Sequence, residues 1–96
     1  MITEIALLNI QPGEYAAFET AFGEAQKIIL SMHNYIEHEL QKCLEDENKY
    51  LLIVRWQTLE DHTEGFRKSE VYKEWEKLLH HFYNPFPVVE HYKRIY

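Results

Sequence analysis

Residues 50–92, YLLIVRWQTLEDHTEGFRKSEVYKEWEKLLHHFYNPFPVVEHY, contain the patterns that decide the fold. The apolar run Tyr50–Trp56 predicts a strand. Thr58 then begins a helix, and Asp61, three residues later, completes a weak capping box. The stretch also concentrates aromatic and ionisable side chains that a purely structural segment does not need. This combination suggests a half-apolar pocket with a few titratable groups at its wall.

The second part of this stretch predicts a helix, a loop and a closing strand. Ser69 can cap a helix that runs to about His81, with apolar residues spaced by four and three. Pro85 and Pro87 stop that helix and force an extended path. We expect the last strand over 88–96.

Outward from this stretch, the first half of the chain predicts two strands around a long helix. The short apolar run Ile2–Ile10 ends at the turn Pro12-Gly13, which favours a strand. Glu14–Met32 carries one apolar stripe at helical spacing. Tyr35–Cys43 alternates apolar and polar residues, as a half-exposed edge strand does, and forms a hairpin with Tyr50–Trp56.

The order is therefore strand, helix, strand, strand, helix, strand, in one domain of residues 1–96. Two right-handed βαβ units of this kind give a four-stranded antiparallel sheet with both helices on one face, an α+β fold. The first strand is largely apolar on both faces, so the uncovered sheet face needs a partner. A symmetric homodimer through that face is the economical solution.

Composition excludes several classes of protein. The net charge of −6 and the lack of a basic stretch argue against nucleic acid as a partner. No apolar run approaches the ~20 residues that span a bilayer, and no signal peptide is visible. The single cysteine, Cys43, favours a reducing compartment and a role as a small filler, not a nucleophile. We expect a cytoplasmic protein without a membrane partner.

His62 is the leading candidate for chemistry. It lies one turn into the helix after Trp56, on the same side as Phe66. A neutral histidine beside an apolar wall could take a proton from a phenol, because its pKa lies near working pH. The alternative is a histidine at a helix start that fixes a loop or a dimer contact.

Arg55 is the second candidate catalytic residue. It alternates with Trp56 in a mostly apolar strand, and a partly buried guanidinium could stabilise a developing enolate or phenolate. The alternative is an ion pair with Glu37, Glu39 or a carboxylate of the partner.

Phe66, Tyr72 and Trp75 are the candidate substrate-binding residues. Their rings could form a wall for a flat substrate, although side chains at helical spacing are more often plain core. The two roles are compatible.

The histidines do not predict a metal site. His80 and His81 could combine with His38 or His91, but adjacent helical residues point about 100° apart and no matched ligand spacing is present. The loop over residues 80–87, HHFYNPFP, is better suited to closing the pocket mouth or contacting the partner subunit.

The chain resembles the antibiotic biosynthesis monooxygenase family. The resemblance covers nearly the whole chain and rests on the PG turn at 12–13, the YLLIVRW strand followed by TLEDH, the GFRKS turn at 65–69, and the closing LLHHFYNPFPVVEHY. It implies a dimeric α+β barrel built from ferredoxin-like βαββαβ subunits. It also implies a pocket between the sheet and the helices of each subunit.

The family's activities are broad. Some members oxidise phenolic or quinol compounds with molecular oxygen and no metal or flavin, and others open heme. The residues used by the heme-degrading branch, an Asn, a Trp and a His, correspond to Ala6, Gly65 and Trp75. None of these residue types is retained, so heme degradation by that route is disfavoured.

The sequence therefore predicts a cofactor-independent monooxygenase that acts on a small aromatic, phenolic or quinol compound. His62 would remove a proton and Arg55 would stabilise charge in an apolar pocket. The alternative is a non-catalytic dimeric protein, small-molecule-binding or stress-related, with the same fold. A purely structural dimer module would need only the apolar sheet face.

Overall fold

The computed structural model describes every residue from Met1 to Tyr96. Its strands and α-helices are β1 (Ile2–Asn9), α1 (Tyr15–Leu30), β2 (Tyr35–Lys42), β3 (Lys49–Trp56), α2 (Val71–Leu79) and β4 (Val89–Tyr92). A π-helical segment, Asp61–Phe66, lies between β3 and α2, and a 3-10 turn, His80–Phe82, follows α2. The predicted order of elements is confirmed.

The four strands form one antiparallel sheet in the order β2-β3-β1-β4. β1 pairs with β3 along its whole length, with Ala6 opposite Leu52. Its other edge pairs with β4, where Glu4 lies opposite His91. Opposed residues of an antiparallel pair project to the same side of a sheet, so this register places Glu4 and His91 on one face.

Both helices cover one face of the sheet, as predicted. Phe18 of α1 packs on Tyr50 of β3 with ring centroids 4.9 Å apart. Phe22 of α1 meets Trp75 of α2 edge to face at 5.9 Å. The helices thus meet each other and the strands through a continuous aromatic core, since all four side chains are buried.

The other face of the sheet is uncovered in the single chain. Leu7 is 46% exposed there, beside its cross-strand partner Leu51. Ile5 and Ile53 form the next pair, and both are only half-buried. Branched apolar residues in adjacent central strands therefore remain accessible on this face.

Most boundaries shift from the predictions by one or two residues, and two larger differences stand out. β4 ends at Tyr92 instead of continuing to Tyr96, because Tyr92 pairs with Thr3 and β1 begins only one residue before Thr3. The chain beyond Tyr92 has passed the end of its partner strand. The segment predicted as an ordinary helix after Thr58 contains the π-helical turn, which alters how its side chains project.

No helix is both long enough and apolar enough to cross a membrane.

Candidate functional site

A capping box starts the segment after β3, as Thr58 and Asp61 predict. The backbone N–H and the hydroxyl of Thr58 donate to Asp61 Oδ2 at 3.0 and 2.8 Å, and the Asp61 N–H donates to Thr58 Oγ1 at 3.3 Å. Asn34 Nδ2 donates to the other carboxylate oxygen at 3.2 Å. Hydrogen bonds from Thr58, with smaller help from Asn34, lower the pKa of Asp61. The ionised carboxylate therefore fixes the start of this segment beside β2.

The π-helical turn directs two rings toward the interior. The Arg67 N–H donates to the carbonyl oxygen of His62 at 3.0 Å, five residues back along the chain. His62 and Phe66 are both buried. Single π-helical turns are rare and frequently occur at functional sites.

A cavity of about 270 Å³ lies between the inner face of the sheet and the helices. Its aromatic lining comprises Phe66, Tyr72, Trp75, Tyr83 and Phe86, and its polar lining comprises Glu4, His62, Arg67 and His80. Phe66 meets Tyr72 and Trp75 edge to face, with centroids 5.0 and 5.4 Å away. An apolar enclosure with few polar groups is the usual form of a small-molecule site.

A row of polar side chains includes Glu4 and His62, which line the cavity, and Trp56 and His91, which lie behind this wall. Trp56 Nε1 donates to Glu4 Oε1 at 3.0 Å. His62 Nε2 lies 3.3 Å from the same oxygen. On its other side, His62 Nδ1 lies 2.8 Å from His91 Nε2. Glu4 and His62 are only 6% and 3% exposed, so a carboxyl group and an imidazole are held together away from water.

Burial opposes charge on both members of this pair. It raises the pKa of Glu4 to about 7, although the Trp56 hydrogen bond and the charge of Arg67 act in the opposite direction. It lowers the pKa of His62 to about 3, with further lowering by Arg67 and His91. Burial and then Arg67 also lower the pKa of His91. Near neutral pH the row therefore holds two neutral imidazoles and a carboxyl group that is close to half ionised.

Four of the five predicted site residues converge on this cavity. His62, Phe66, Tyr72 and Trp75 all line it. Of the three aromatic residues, Phe66 and Trp75 belong to the buried core and Tyr72 packs against it. The two roles weighed from the sequence, pocket wall and core, coincide in one structure.

Arg55 is not brought to the cavity. It lies on the uncovered face of the sheet, where its Nη1 donates to Glu37 Oε1 at 3.0 Å. This is the ion pair that the sequence offered as the alternative. The guanidinium that lines the cavity belongs to Arg67.

The remaining histidines are dispersed. His38 Nε2 donates to Gln26 Oε1 of α1 at 2.9 Å, and its Nδ1 lies 2.5 Å from the hydroxyl oxygen of Tyr35. His80 lines the cavity and lies 3.6 Å from Glu76. No three His, Cys, Asp or Glu side chains form a group able to hold a metal ion.

The loop after α2 forms the rim of the cavity. Tyr83, Phe86 and Pro87 all line it, and the Phe86 ring is 4.9 Å from the ring of His80. Phe86 is nevertheless 61% exposed. It therefore lies at the boundary between cavity and solvent.

Glu4, Arg67 and His91 were not selected from the sequence. The signal for Glu4 was present, because strict alternation places it on the same strand face as Ala6 and Leu8, which are buried. A carboxylate in such a position is unusual enough to mark a site. His91 lacked a comparable signal, since its approach to His62 depends on the register of β4.

The antibiotic biosynthesis monooxygenase family model matches residues 1–78. The uncharacterized protein YczJ of Bacillus subtilis (strain 168) is 55% identical over 95 residues, which cover 99% of this chain and 100% of YczJ. A crystal structure from Bordetella bronchiseptica, assigned to the antibiotic biosynthesis monooxygenases, has a TM-score of 0.93 and 30% identity, and covers 99% of this chain and 97% of its own.

SnoaB, a cofactor-independent oxygenase from Streptomyces nogalater, has a TM-score of 0.82 at 15% identity. The superposition covers 99% of this chain and 93% of SnoaB. At this identity the similarity is one of fold.

Proposed function

Because this chain belongs to the antibiotic biosynthesis monooxygenase family, we propose that it oxidises a small hydroxylated aromatic compound with molecular oxygen and without a cofactor. One observation carries the proposal: a buried Glu4–His62 pair, 3.3 Å apart, lies at the wall of an aromatic cavity. A pair of this kind is suited to removing a proton from a bound hydroxyl group.

The size and lining of the cavity suggest a flat compound of one or two rings. Its volume of about 270 Å³ is slightly below the range of sites that take drug-sized ligands. Phe66 and Trp75 supply apolar surface, and Tyr72 supplies an aromatic face with a hydroxyl group at its tip. Polar contacts concentrate on the side of Glu4 and Arg67, so a hydroxyl group of the ligand would point there.

Glu4 supplies the base, and His62 acts with it. The Oε2 atom of Glu4 makes no hydrogen bond within the chain, whereas Oε1 accepts from Trp56 Nε1 and lies 3.3 Å from His62 Nε2. A carboxylate with a pKa of about 7 is well matched to proton transfer near neutral pH. Arg67, which lines the same cavity, would stabilise the phenolate that forms. We assign this role to Arg67 instead of Arg55, because Arg55 lies beyond the sheet.

The phenolate would then react with oxygen at a ring carbon. A carbon–oxygen bond forms as the ring passes two electrons to oxygen, and the proton held by Glu4 returns to give a hydroperoxide. The proton on the same ring carbon is then lost, and the electron pair of that C–H bond forms the quinone carbonyl as the O–O bond breaks. The outer oxygen leaves with both protons as water. The apolar lining keeps bulk water from the intermediates.

The test is oxygen uptake with a panel of hydroxylated benzenes and naphthalenes. We expect turnover by the wild type and a loss of about a hundredfold or more in Glu4→Gln, which keeps the shape and removes the base. Arg55→Ala is the matched control on the other sheet face. Absence of turnover by the wild type across the panel, or full activity of Glu4→Gln, would contradict the proposal.

A second candidate function is binding without turnover. Phe86 and His80 narrow the cavity mouth, and this closure would also suit a protein that sequesters an aromatic ligand. Saturable binding of a panel compound in calorimetry, with no oxygen uptake, would favour it.

We further propose that two copies pair through the uncovered sheet face. Leu7, Leu51, Ile5 and Ile53 present adjacent apolar side chains there, and association would remove them from water. A cytoplasmic location stays a prediction from the single Cys43.

A further inference from the structure

We propose that Glu4, His62 and His91 form a proton path that connects the carboxyl group of the cavity to the solvent beside β4. The proposal rests on the proposed function, because it gives the base a way to exchange its proton while a ligand fills the cavity. Its basis is the continuous row of contacts: 3.3 Å from Glu4 Oε1 to His62 Nε2, and 2.8 Å from His62 Nδ1 to His91 Nε2.

The indole of Trp56 fixes the first arrangement of protons along the row. An indole N–H can only donate, so Glu4 Oε1 accepts from Trp56. When Glu4 is ionised, a proton on His62 Nε2 faces the negative oxygen 3.3 Å away favourably, whereas a nitrogen lone pair there would be repelled by it. The Nδ1 atom of His62 is then an acceptor, and His91 must donate from Nε2. In this arrangement every contact has one donor and one acceptor.

In a second arrangement, each contact between Glu4, His62 and His91 has its donor and acceptor exchanged. When Glu4 carries a proton on Oε1, it donates to His62 Nε2, and His62 donates from Nδ1 to His91 Nε2. His91 then carries its own proton on Nδ1. Both imidazoles are neutral in both arrangements.

One proton separates the two arrangements. His91 takes it from solvent at Nδ1 and passes its Nε2 proton to His62 Nδ1, and His62 passes its Nε2 proton to Glu4. On each imidazole ring one N–H bond forms as the other breaks. The reverse sequence returns a proton on Oε1 to solvent, and a proton taken from a ligand at Oε2 reaches Oε1 by rotation of the carboxyl group. No charged imidazole has to persist in the buried part of the row, where desolvation would make it costly.

The surroundings favour this neutral exchange. Arg67 acts on the whole row: after burial, its charge is the next cause that lowers the pKa of both His62 and His91. It also opposes the effect of burial on Glu4. Burial raises the pKa of Tyr72, from α2, and of Tyr83, from the following loop, and the charge of Glu4 raises both further.

The position of His91 supplies the exit. It lies on β4, an edge strand of the sheet, and it is partly exposed, whereas His62 is 3% exposed. Its Nδ1 makes no hydrogen bond within the chain, so it is free to exchange protons with water. His91 is absent from the cavity lining, and the path therefore opens on a different side from the mouth at Phe86.

The first test is nitrogen NMR of histidine-labelled free protein across the pH range in which Glu4 titrates. We expect the His62 proton to move from Nδ1 to Nε2 as pH rises through the pKa of Glu4, with the ring neutral throughout. Glu4→Gln should abolish this movement. An imidazolium signal from His62 above pH 5, or a fixed tautomer, would overturn the proposal.

The second test measures the rate at which Glu4 gains or loses its proton. The carboxyl infrared band of Glu4, identified by its loss in Glu4→Gln, is followed after a pH jump with 2-naphthol in the cavity under nitrogen. His91→Gln keeps a hydrogen-bond partner for His62 but cannot pass a proton, so the band should change more slowly than in the wild type. Equal rates would overturn the path.

Neither test measures oxygen uptake. If the wild type fails to oxidise the panel but the His62 tautomer shifts, the proposed function fails and the path stands. If oxidation proceeds and the tautomer is fixed, only the path fails.

Discussion

Trp56 Nε1 donates a 3.0 Å hydrogen bond to Glu4 Oε1, so the last residue of one central strand holds a buried carboxyl group on the other. This bond favours the ionised form, and we expect Trp56→Phe to raise the pKa of Glu4 further above about 7. Carbon NMR of the labelled carboxyl group would measure the change. Trp75→Phe is the control, because it also replaces an indole of the cavity lining but leaves this bond intact. An equal rise in both variants would refute the assignment.

The Glu4–His62 pair predicts an unusual dependence of stability on pH. The pKa of Glu4 is raised in the folded state, from 4.5 to about 7. Its contribution to the free energy of unfolding is therefore full below pH 4.5 and is lost as pH rises through 7. The pKa of His62 is depressed, from 6.5 to about 3, so its contribution is full above pH 6.5 and is lost as pH falls toward 3. The two slopes oppose each other between pH 4.5 and 6.5.

Single substitutions should show the pH dependence of the unfolding free energy that each group causes on its own. In His62→Gln, the unfolding free energy should fall as pH rises from 4.5 to 7, by up to ~3 kcal/mol. In Glu4→Gln, it should instead rise with pH up to about 6.5. Urea unfolding at a series of pH values, compared with the wild type, measures both. Parallel curves for the two variants would show that the groups are not buried as a pair.

Arg67 and Arg55 form a matched pair of tests across the sheet. Arg67→Ala should raise the pKa of Glu4, since the positive charge favours the carboxylate, and should weaken binding of phenolate ligands. Arg55→Ala removes a largely solvated ion pair with Glu37, a change of about 0–1 kcal/mol in stability. Naphthol binding by calorimetry compares them. If Arg55→Ala gave the larger loss of affinity, the cavity assignment would be wrong.

Substitutions of Phe66 and Phe86 should have different effects: the first should lower stability, and the second should change how fast a ligand enters and leaves the cavity. Phe66 is 2% exposed and packs on three aromatic rings, so Phe66→Ala should cost about 3–5 kcal/mol in urea unfolding. Phe86 is 61% exposed, and Phe86→Ala should change stability by only about 0.5 kcal/mol. Stopped-flow binding should show faster ligand entry and exit in Phe86→Ala. Unchanged rates would exclude Phe86 from the cavity mouth.

The proposed dimer has a simple test at Leu7. Placing a carboxylate in the middle of the uncovered face, in Leu7→Asp, should yield a monomer in light scattering at micromolar concentration, because a buried unpaired charge opposes association. Leu44→Asp is the control, since Leu44 is 95% exposed and lies outside the sheet. A monomeric wild type would contradict the dimer.

The sequence was sufficient for the fold because its signals are local and consistent. Short apolar runs identified the first and third strands, alternation identified the second, and the Thr58–Asp61 spacing predicted a capping box that the structure confirms. Alternation along β3 also determines the sheet face on which Arg55 lies. Trp56 faces inward, so its neighbour in a two-residue repeat faces outward, and a shared site with His62 was already unfavourable.

The proton-carrying row was beyond local reasoning. Glu4 and His91 are neighbours only because β1 and β4 pair in one register. His62 reaches both because its segment has a π-helical turn. Capping and periodicity predict a helix at this position, but they do not distinguish a bond to the fourth residue from one to the fifth.

The π-helical turn makes the site sensitive to chain length. An α-helix turns about 100° per residue, so the removal of one residue from 63–65 would restore α-helical spacing and rotate His62 by about that angle relative to Arg67. Such a deletion would preserve every side chain of the proposed site and still take the imidazole out of line with Glu4. In relatives of this protein, the number of residues between the positions of Thr58 and Arg67 should therefore predict whether a histidine lines up with the carboxyl group of β1. This number should be as informative as the identity of the residues themselves.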